Sequence, residues 1–197
     1  GRIIDIEQFK PYFSEEQLGF LSLHPNASGW GCRWDWVMKH LAANAARKGV
    51  QFLTRTRVLS SIQEDEKILL ELNSSERATP LHLAADRVIL FPNPSTDGPG
   101  GRNHRFLPFH PEIFHQFTTV PWFGGTVLSS DVDASTTADL IIQRADEMTE
   151  LWWRGPPTWK PMHGFIEQCT SQLSSEVDHL SFDSVVSRVR DFLEKAV

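Results

Sequence analysis

The residues of this chain whose types and spacing can do chemistry fall into four groups. In Trp30-Gly31-Cys32-Arg33 a thiol stands at the entry to a helix, beside an arginine. The helix dipole and the guanidinium both favour thiolate there, which makes Cys32 a candidate nucleophile; a buried, inert small hydrophobe is the other reading of the same position. His110-Pro111-Glu112-Ile113-Phe114-His115, with His104 upstream, gathers imidazole and carboxylate groups in sequence. A metal needs them to converge, but His-Pro is a poor helix interior and the H-E-x-x-H order is missing. These are read as polar-loop histidines, and no metal site is expected. Phe106, Phe109, Trp122, Phe123, Trp152, Trp153 and Trp159 form an aromatic set, several of them flanking Gly and Pro turns. It is either plain core or the lining of a substrate pocket, with Phe106, Phe109, Trp122 and Phe123 as the substrate-binding candidates. Asp131 and Asp133 precede an expected helix, where capping accounts for them without catalysis.

These groups need elements to position them. Trp34, Val37, Met38, Leu41 and Ala45 fall on one face of a 3.6-residue period, so a helix follows Cys32. Gly49 stands where a left-handed C-cap would end it. The period then becomes two: Val50 to Val58 reads as a strand, Ile68 to Leu72 as a second across a charged turn at Glu64 to Lys67, Leu81 to Ala84 as a third and Arg87 to Phe91 as a fourth. Upstream, Ser14 and Gln17 have capping-box spacing, and residues 24–29 read as a loop.

Residues 92–101 are the strongest breaker run and the expected hinge. Beyond it, Thr126 to Ser129 reads as a short strand after a Gly124-Gly125 turn. A helix is expected from Ser135 to about Trp153, buried through Leu140, Ile141, Ala145, Met148, Leu151 and Trp152. A further helix would carry Phe165, Ile166, Cys169 and Leu173. The last would start at a Ser181 cap and present Phe182, Val185, Val186, Val189, Phe192 and Leu193. The expectation is an α+β fold: an antiparallel sheet from residues 1–91, a hinge at 92–101, and a mainly helical, aromatic-rich part over 102–197 packed on that sheet, together one compact unit.

Composition bounds the function classes. The chain has 197 residues, 40% hydrophobic and 22% charged, ordinary for a globular protein with a core. A net charge of −6 argues against nucleic acid as a partner. No apolar run reaches the length of a membrane span and no signal-peptide pattern is present, so a cytoplasmic location is expected. Cys32 and Cys169 are too few for a disulfide framework. Asn26-Ala-Ser28 and Asn73-Ser-Ser75 match glycosylation acceptors, a pattern common by chance. Seven tryptophans against one tyrosine give flat apolar surfaces unusual weight.

The helix, Gly49-Val50, "FLTRTRVLSSI", the charged turn, the second strand and "ADRVILFPNP" together resemble a segment of the flavin-dependent amine oxidase and phytoene-desaturase-like superfamily, over about a third of the chain. The resemblance implies an FAD-dependent oxidoreductase, or part of one, acting on a small organic amine or alkene. It implies that the backbone at Val58, closing its strand, meets the adenine side of FAD. No G-x-G-x-x-G follows an early strand, so the pyrophosphate cradle would come from another domain or chain. "GWGC" also resembles the nucleophile motif of autophagy-type and Ufm1-specific cysteine proteases, which implies a hydrolase using Cys32, although their Asp-Pro-His motif is absent. A binding module without catalysis, meeting a partner through the aromatic patch, is the third alternative.

Overall fold

Alternating burial, not helical spacing, organises most of the C-terminal half. The structure, a computed structural model, describes residues 1–88 and 118–196. In chain order the elements are β1 (Arg2–Ile3), α1 (Ile6–Phe9), α2 (Glu15–Leu21), β2 (His24–Asn26), β3 (Gly29–Gly31) and α3 (Trp34–Arg47). There follow β4 (Thr56–Glu64), β5 (Lys67–Ser74), β6 (Leu81–Ala85), β7 (Thr119–Leu128), β8 (Leu140–Gln143), β9 (Met148–Trp153), β10 (Glu167–Ser174) and α4 (Phe182–Ala196). The fold is α+β, and among the described residues every strand pairing is antiparallel. Two compact units divide it: Gly1–Gly49 with Phe117–Val197, and Val50–Gln116.

In the first unit, β1, β3 and β2 form a small sheet, and β10, β7, β9 and β8 a larger one in that order. Asn26 joins them. Its amide donates to the Gln143 carbonyl at 3.0 Å and its oxygen accepts from the Gln143 N–H at 2.8 Å, so one side chain copies a rung of a β-ladder. A Cβ on Gly31 would lie 1.9 Å from that same carbonyl, so the approach requires glycine. The helices close over an apolar cluster of Ile3, Phe9, Phe13, Leu21, Cys32, Val37 and Phe182. Phe9 stacks on Phe13 at 4.5 Å and meets the Phe182 edge at 4.9 Å. Ser14 and Gln17 form the expected capping box of α2. Ser181 caps the last helix, its hydroxyl accepting from the Ser184 N–H at 3.2 Å. On α3, Val37 is buried as expected, but Met38 is exposed.

The second unit shows a meander in the order β4-β5-β6, with Leu70 and Leu72 of the central strand buried. Glu64 pairs with Lys67 across the turn that the sequence predicts, and Asp65 takes φ +49 there. The first strand begins at Thr56 instead of Val50, so Val58 stands near its start and not at its end. Arg55, at φ +51, turns the chain into the strand. Between Val58 and Ser60 the register shifts, a bulge at Leu59. Arg87 and Val88 are irregular, and the rest of the expected fourth strand lies outside the described residues, as does the expected hinge at 92–101.

Two expected helices are strands. Residues 140–153 form the β8–β9 hairpin, closed by the Arg144 N–H on the Met148 carbonyl at 2.9 Å, with Glu147 at φ +61 in the turn. Burial alternates strictly from Met148 to Trp153, a period of two that Thr149 and the paired tryptophans favour. Glu167–Ser174 is the edge strand β10, paired along β7 from Thr126 back to Thr119. The part from residue 102 onward is therefore mainly sheet among the described residues, and α4 is its only α-helix there. Gly124 and Gly125, expected to form a turn, lie in the middle of β7.

Gly49 does end α3 with positive φ, at +93, its N–H donating to the Ala46 carbonyl at 3.0 Å. A Cβ there would meet nothing within 4 Å, so conformation alone sets the effect of substitution. Gly49→Ala should lower stability by about 1 kcal/mol and Gly49→Asn by less, read from urea unfolding. Equal midpoints for all three proteins would show that the C-cap contributes nothing.

Candidate functional site: a cleft on the larger sheet

Residues directly opposite one another in an antiparallel sheet share a face. The register of the larger sheet therefore defines rows: Cys169, Gly124, Trp152 and Leu140 in one, and Glu167, Thr126, Glu150 and Ile142 in the next. This face forms the floor of a cleft of about 820 Å³. The start of α3, with Arg33, Trp34 and Asp35, and the β8–β9 turn, with Arg144 and Asp146, supply further walls.

The alternate residues face the other way. Phe123, Val127, Leu151 and Trp153 pack with Trp159 and Phe165 into an apolar layer, with ring centroids 5.7–6.1 Å apart among Phe123, Trp153 and Phe165. One face of the sheet is thus core, and the other carries the cleft beside the buried Trp122, Leu140 and Ile142.

Four carboxylates (Asp35, Asp146, Glu150 and Glu167) line the cleft against two guanidiniums. Arg144 is committed to Asp146 through both its Nε and terminal nitrogens, and to Glu150 at 3.2 Å. Its hydrogen bonds hold the Asp146 carboxyl below the usual carboxylate range. The Gly1 nitrogen also donates to both oxygens of Glu150 at 2.9 Å. Arg33 grips Asp35 at 3.0 and 3.3 Å while its guanidinium lies 4.4 Å from the centre of Trp36. Glu167 is exposed, with no ion pair among the described residues.

Of the residues expected to bind substrate, Trp122 is buried, its indole N–H donating to the Ser174 carbonyl at 2.9 Å. Phe123 belongs to the core layer on the opposite face. Phe106 and Phe109 lie outside the described residues, as do His104, His110 and His115. The aromatic side chains brought to the cleft are Trp34 and Trp152. Glycines inside a strand mark places where something approaches the backbone closely, and Gly124-Gly125 was the sequence signal for this floor.

Asp131 and Asp133 precede no helix. Asp131 accepts from the His163 N–H at 3.0 Å and its ring at 2.6 Å, which keep its carboxyl below the usual range. Asp133 accepts from the Ser135 N–H at 2.8 Å and closes a turn.

Cys32 precedes α3, whose N-cap is Arg33, and its side chain is buried, with Sγ 3.6 Å from the Gly1 carbonyl. Burial pushes its pKa up to about 11, against the thiolate that a nucleophile requires. Cys169, expected on a buried helix face, is exposed on β10 in the cleft. Among the described residues no group of three or more His, Cys, Asp or Glu side chains can hold a metal, and no helix is long and apolar enough to cross a membrane.

For FAD, the fit is partial. Val58 lies on β4, the outer strand of the three described in its sheet. The glycine run at 98–101 lies outside the described residues, and no G-x-G-x-x-G stands anywhere in the sequence.

No protein-family model matches the chain, and no curated protein matches it. Among solved structures it is similar to a flavoprotein/dehydrogenase from Cytophaga hutchinsonii, with 13% identity and a TM-score of 0.45. The match covers 80% of this chain and 48% of that one, so this chain spans about half the length of that protein.

The cysteines give two tests. Iodoacetamide should modify Cys169 in the folded protein while Cys32 reacts only on unfolding; faster labelling of Cys32 would restore it as a nucleophile. The buried Cys32 keeps its proton to about pH 11, whereas an unfolded thiol loses it near 9.0. Stability from this group is therefore full below pH 9 and declines as the pH rises through the folded value. The loss should be on the order of 2–3 kcal/mol, and the extra alkaline slope should vanish in Cys32→Ala. Identical slopes in urea unfolding from pH 8 to 11 would contradict this.

Proposed function

We propose that this chain is the substrate-side part of a flavin-linked oxidoreductase, its cleft receiving a small organic amine or alkene. The observation that carries the proposal is the cleft itself: about 820 Å³, bounded by a flat indole and a surplus of carboxylates. That volume suits a small molecule, and the surplus favours a cation over an anion. The buried, protonated Cys32 offers the hydrolase alternative little support.

FAD fits this proposal as a cofactor held largely by a domain or chain beyond these residues. When bound, it supplies the acceptor for a hydride leaving the substrate carbon, chemistry that belongs to the cofactor. Val58 would meet its adenine side through the backbone. This chain's own task is to bind and orient the substrate, with the Trp152 face beneath it and the Arg144–Glu150–Asp146 network fixing the carboxylates in place.

Two measurements test the proposal. Purified in its full-length native context, the protein should show the visible absorption bands of a flavin; a preparation without them, and unable to acquire them from added FAD, would overturn it. The 197-residue chain alone should not bind FAD tightly, because its sequence has no G-x-G-x-x-G to cradle the pyrophosphate. Stoichiometric quenching of flavin fluorescence by this chain would overturn the assignment of that cradle to other sequence.

A further inference from the structure

Gly124 has a specific neighbour. A Cβ built on it would lie 2.6 Å from Cζ3 of Trp152 and 2.8 Å from both Cε3 and Cη2. Three consecutive ring atoms so nearly equidistant place that point over the face of the indole, since a point off the ring edge would be much farther from the outer two. The six-membered ring therefore lies flat on the bare backbone of β7. Any side chain at position 124 would lift or tilt it.

Trp152 is half-buried and lines the cleft. With one face against Gly124, the opposite face is the one it offers to the cleft. The neighbouring row of the sheet, about 7 Å along the strands, carries Glu167 and Glu150 on the same side. Glu150 is engaged by Arg144, whereas Glu167 has no ion pair among the described residues and is exposed.

We infer that Gly124 and Trp152 together form the specificity-determining floor of this cleft, and that it takes a planar, unsaturated organic cation laid face-down on the indole. This rests on the cleft being the ligand site but not on the flavin. The two contributions are separable. A flat π-face gains from stacking on an indole, and a positive charge in that face adds the attraction of the ring quadrupole, strongest for tryptophan. Glu167 supplies the long-range part of the preference for a cation and repels an anion of the same shape. Glycine at 124 sets the geometry, because the indole lies flat only where no Cβ intervenes.

The experiment is calorimetric titration of the 197-residue chain with N-methylquinolinium, with uncharged quinoline at pH 8, and with choline as a non-planar cation. The wild type should bind N-methylquinolinium about tenfold more tightly than either of the others. Gly124→Ala and Trp152→Leu should each weaken that binding by about tenfold, and Glu167→Gln should narrow the preference over quinoline while leaving quinoline itself unchanged. No binding of N-methylquinolinium, affinity equal to that for quinoline or choline, or full affinity in folded Gly124→Ala would overturn the inference. If Gly124→Ala fails to fold, as its melting curve would show, Trp152→Leu and Glu167→Gln decide the matter with the glycine intact. None of the three probes requires flavin, so failure here leaves the visible-absorbance test of the oxidoreductase proposal standing, and the reverse holds too.

Discussion

The larger sheet depends on two adjacent residues without side chains. Gly124 and Gly125 point to opposite faces of β7, and each is met by an aromatic ring: Trp152 lies over Gly124 on the cleft side, and the Phe165 edge meets Gly125 on the core side, where a Cβ would come within 2.5 Å of Cδ1 and Cε1. Strand interiors ordinarily avoid glycine because it loses more entropy on ordering and packs nothing. Here the emptiness is filled twice over. The missing side chains let both rings approach the backbone. The core triad of Phe123, Trp153 and Phe165 and the flat floor of the cleft follow from the same pair.

The contrast between the two faces then follows from a period of two. On β9, Thr149, Leu151 and Trp153 are buried, while Met148, Glu150 and Trp152 look into the cleft. The polar member of the buried set is satisfied: the Thr149 hydroxyl shares a 2.9 Å hydrogen bond with that of Ser129. On the cleft side, Arg144 and Glu150 are largely shielded, with side chains 12% and 13% exposed, and pair with each other at 3.2 Å. Breaking one partner of such a pair leaves a poorly solvated charge, which makes the network a rigid wall and not a set of adaptable contacts.

Local signals were legible in the sequence, and pairings were not. The Ser14–Gln17 box, the Gly49 C-cap, the Glu64–Lys67 turn and the Ser181-capped helix each rest on a few neighbouring residues, and each stands where the spacing placed it. Residues 140–153 misled because Leu140, Ile141, Met148, Leu151 and Trp152 satisfy a loose helical stripe, while the four-residue turn at 144–147 has no Gly or Pro to announce it. Glu147 fills the positive-φ position there instead. The edge strand β10 is polar, so only its pairing with β7 identifies it. The cleft was hidden for the same reason: its residues come from four separate stretches, and only their register gathers them. The aromatic set held the right residue in Trp152, but nothing local distinguished it from Trp153, which faces the opposite side.

One closure joins sequence neighbours of the first few residues to the last helix. The Asp183 carboxylate accepts from the N–H groups of Ile4 and Asp5, at 2.6 and 3.0 Å, and Phe182 covers both Phe9 and Tyr12. These partners are separated by up to 179 residues. Synthesis is directional, at about 5–20 residues per second, so the early segment waits on the order of ten seconds or more for its partner to emerge. Throughout that interval Ile3, Phe9 and Phe13 can pack on Leu21, Cys32 and Val37 but lack the cover that Phe182 supplies. The segment around Ile4 and Asp5 therefore reaches its final packing only after Asp183 has been made.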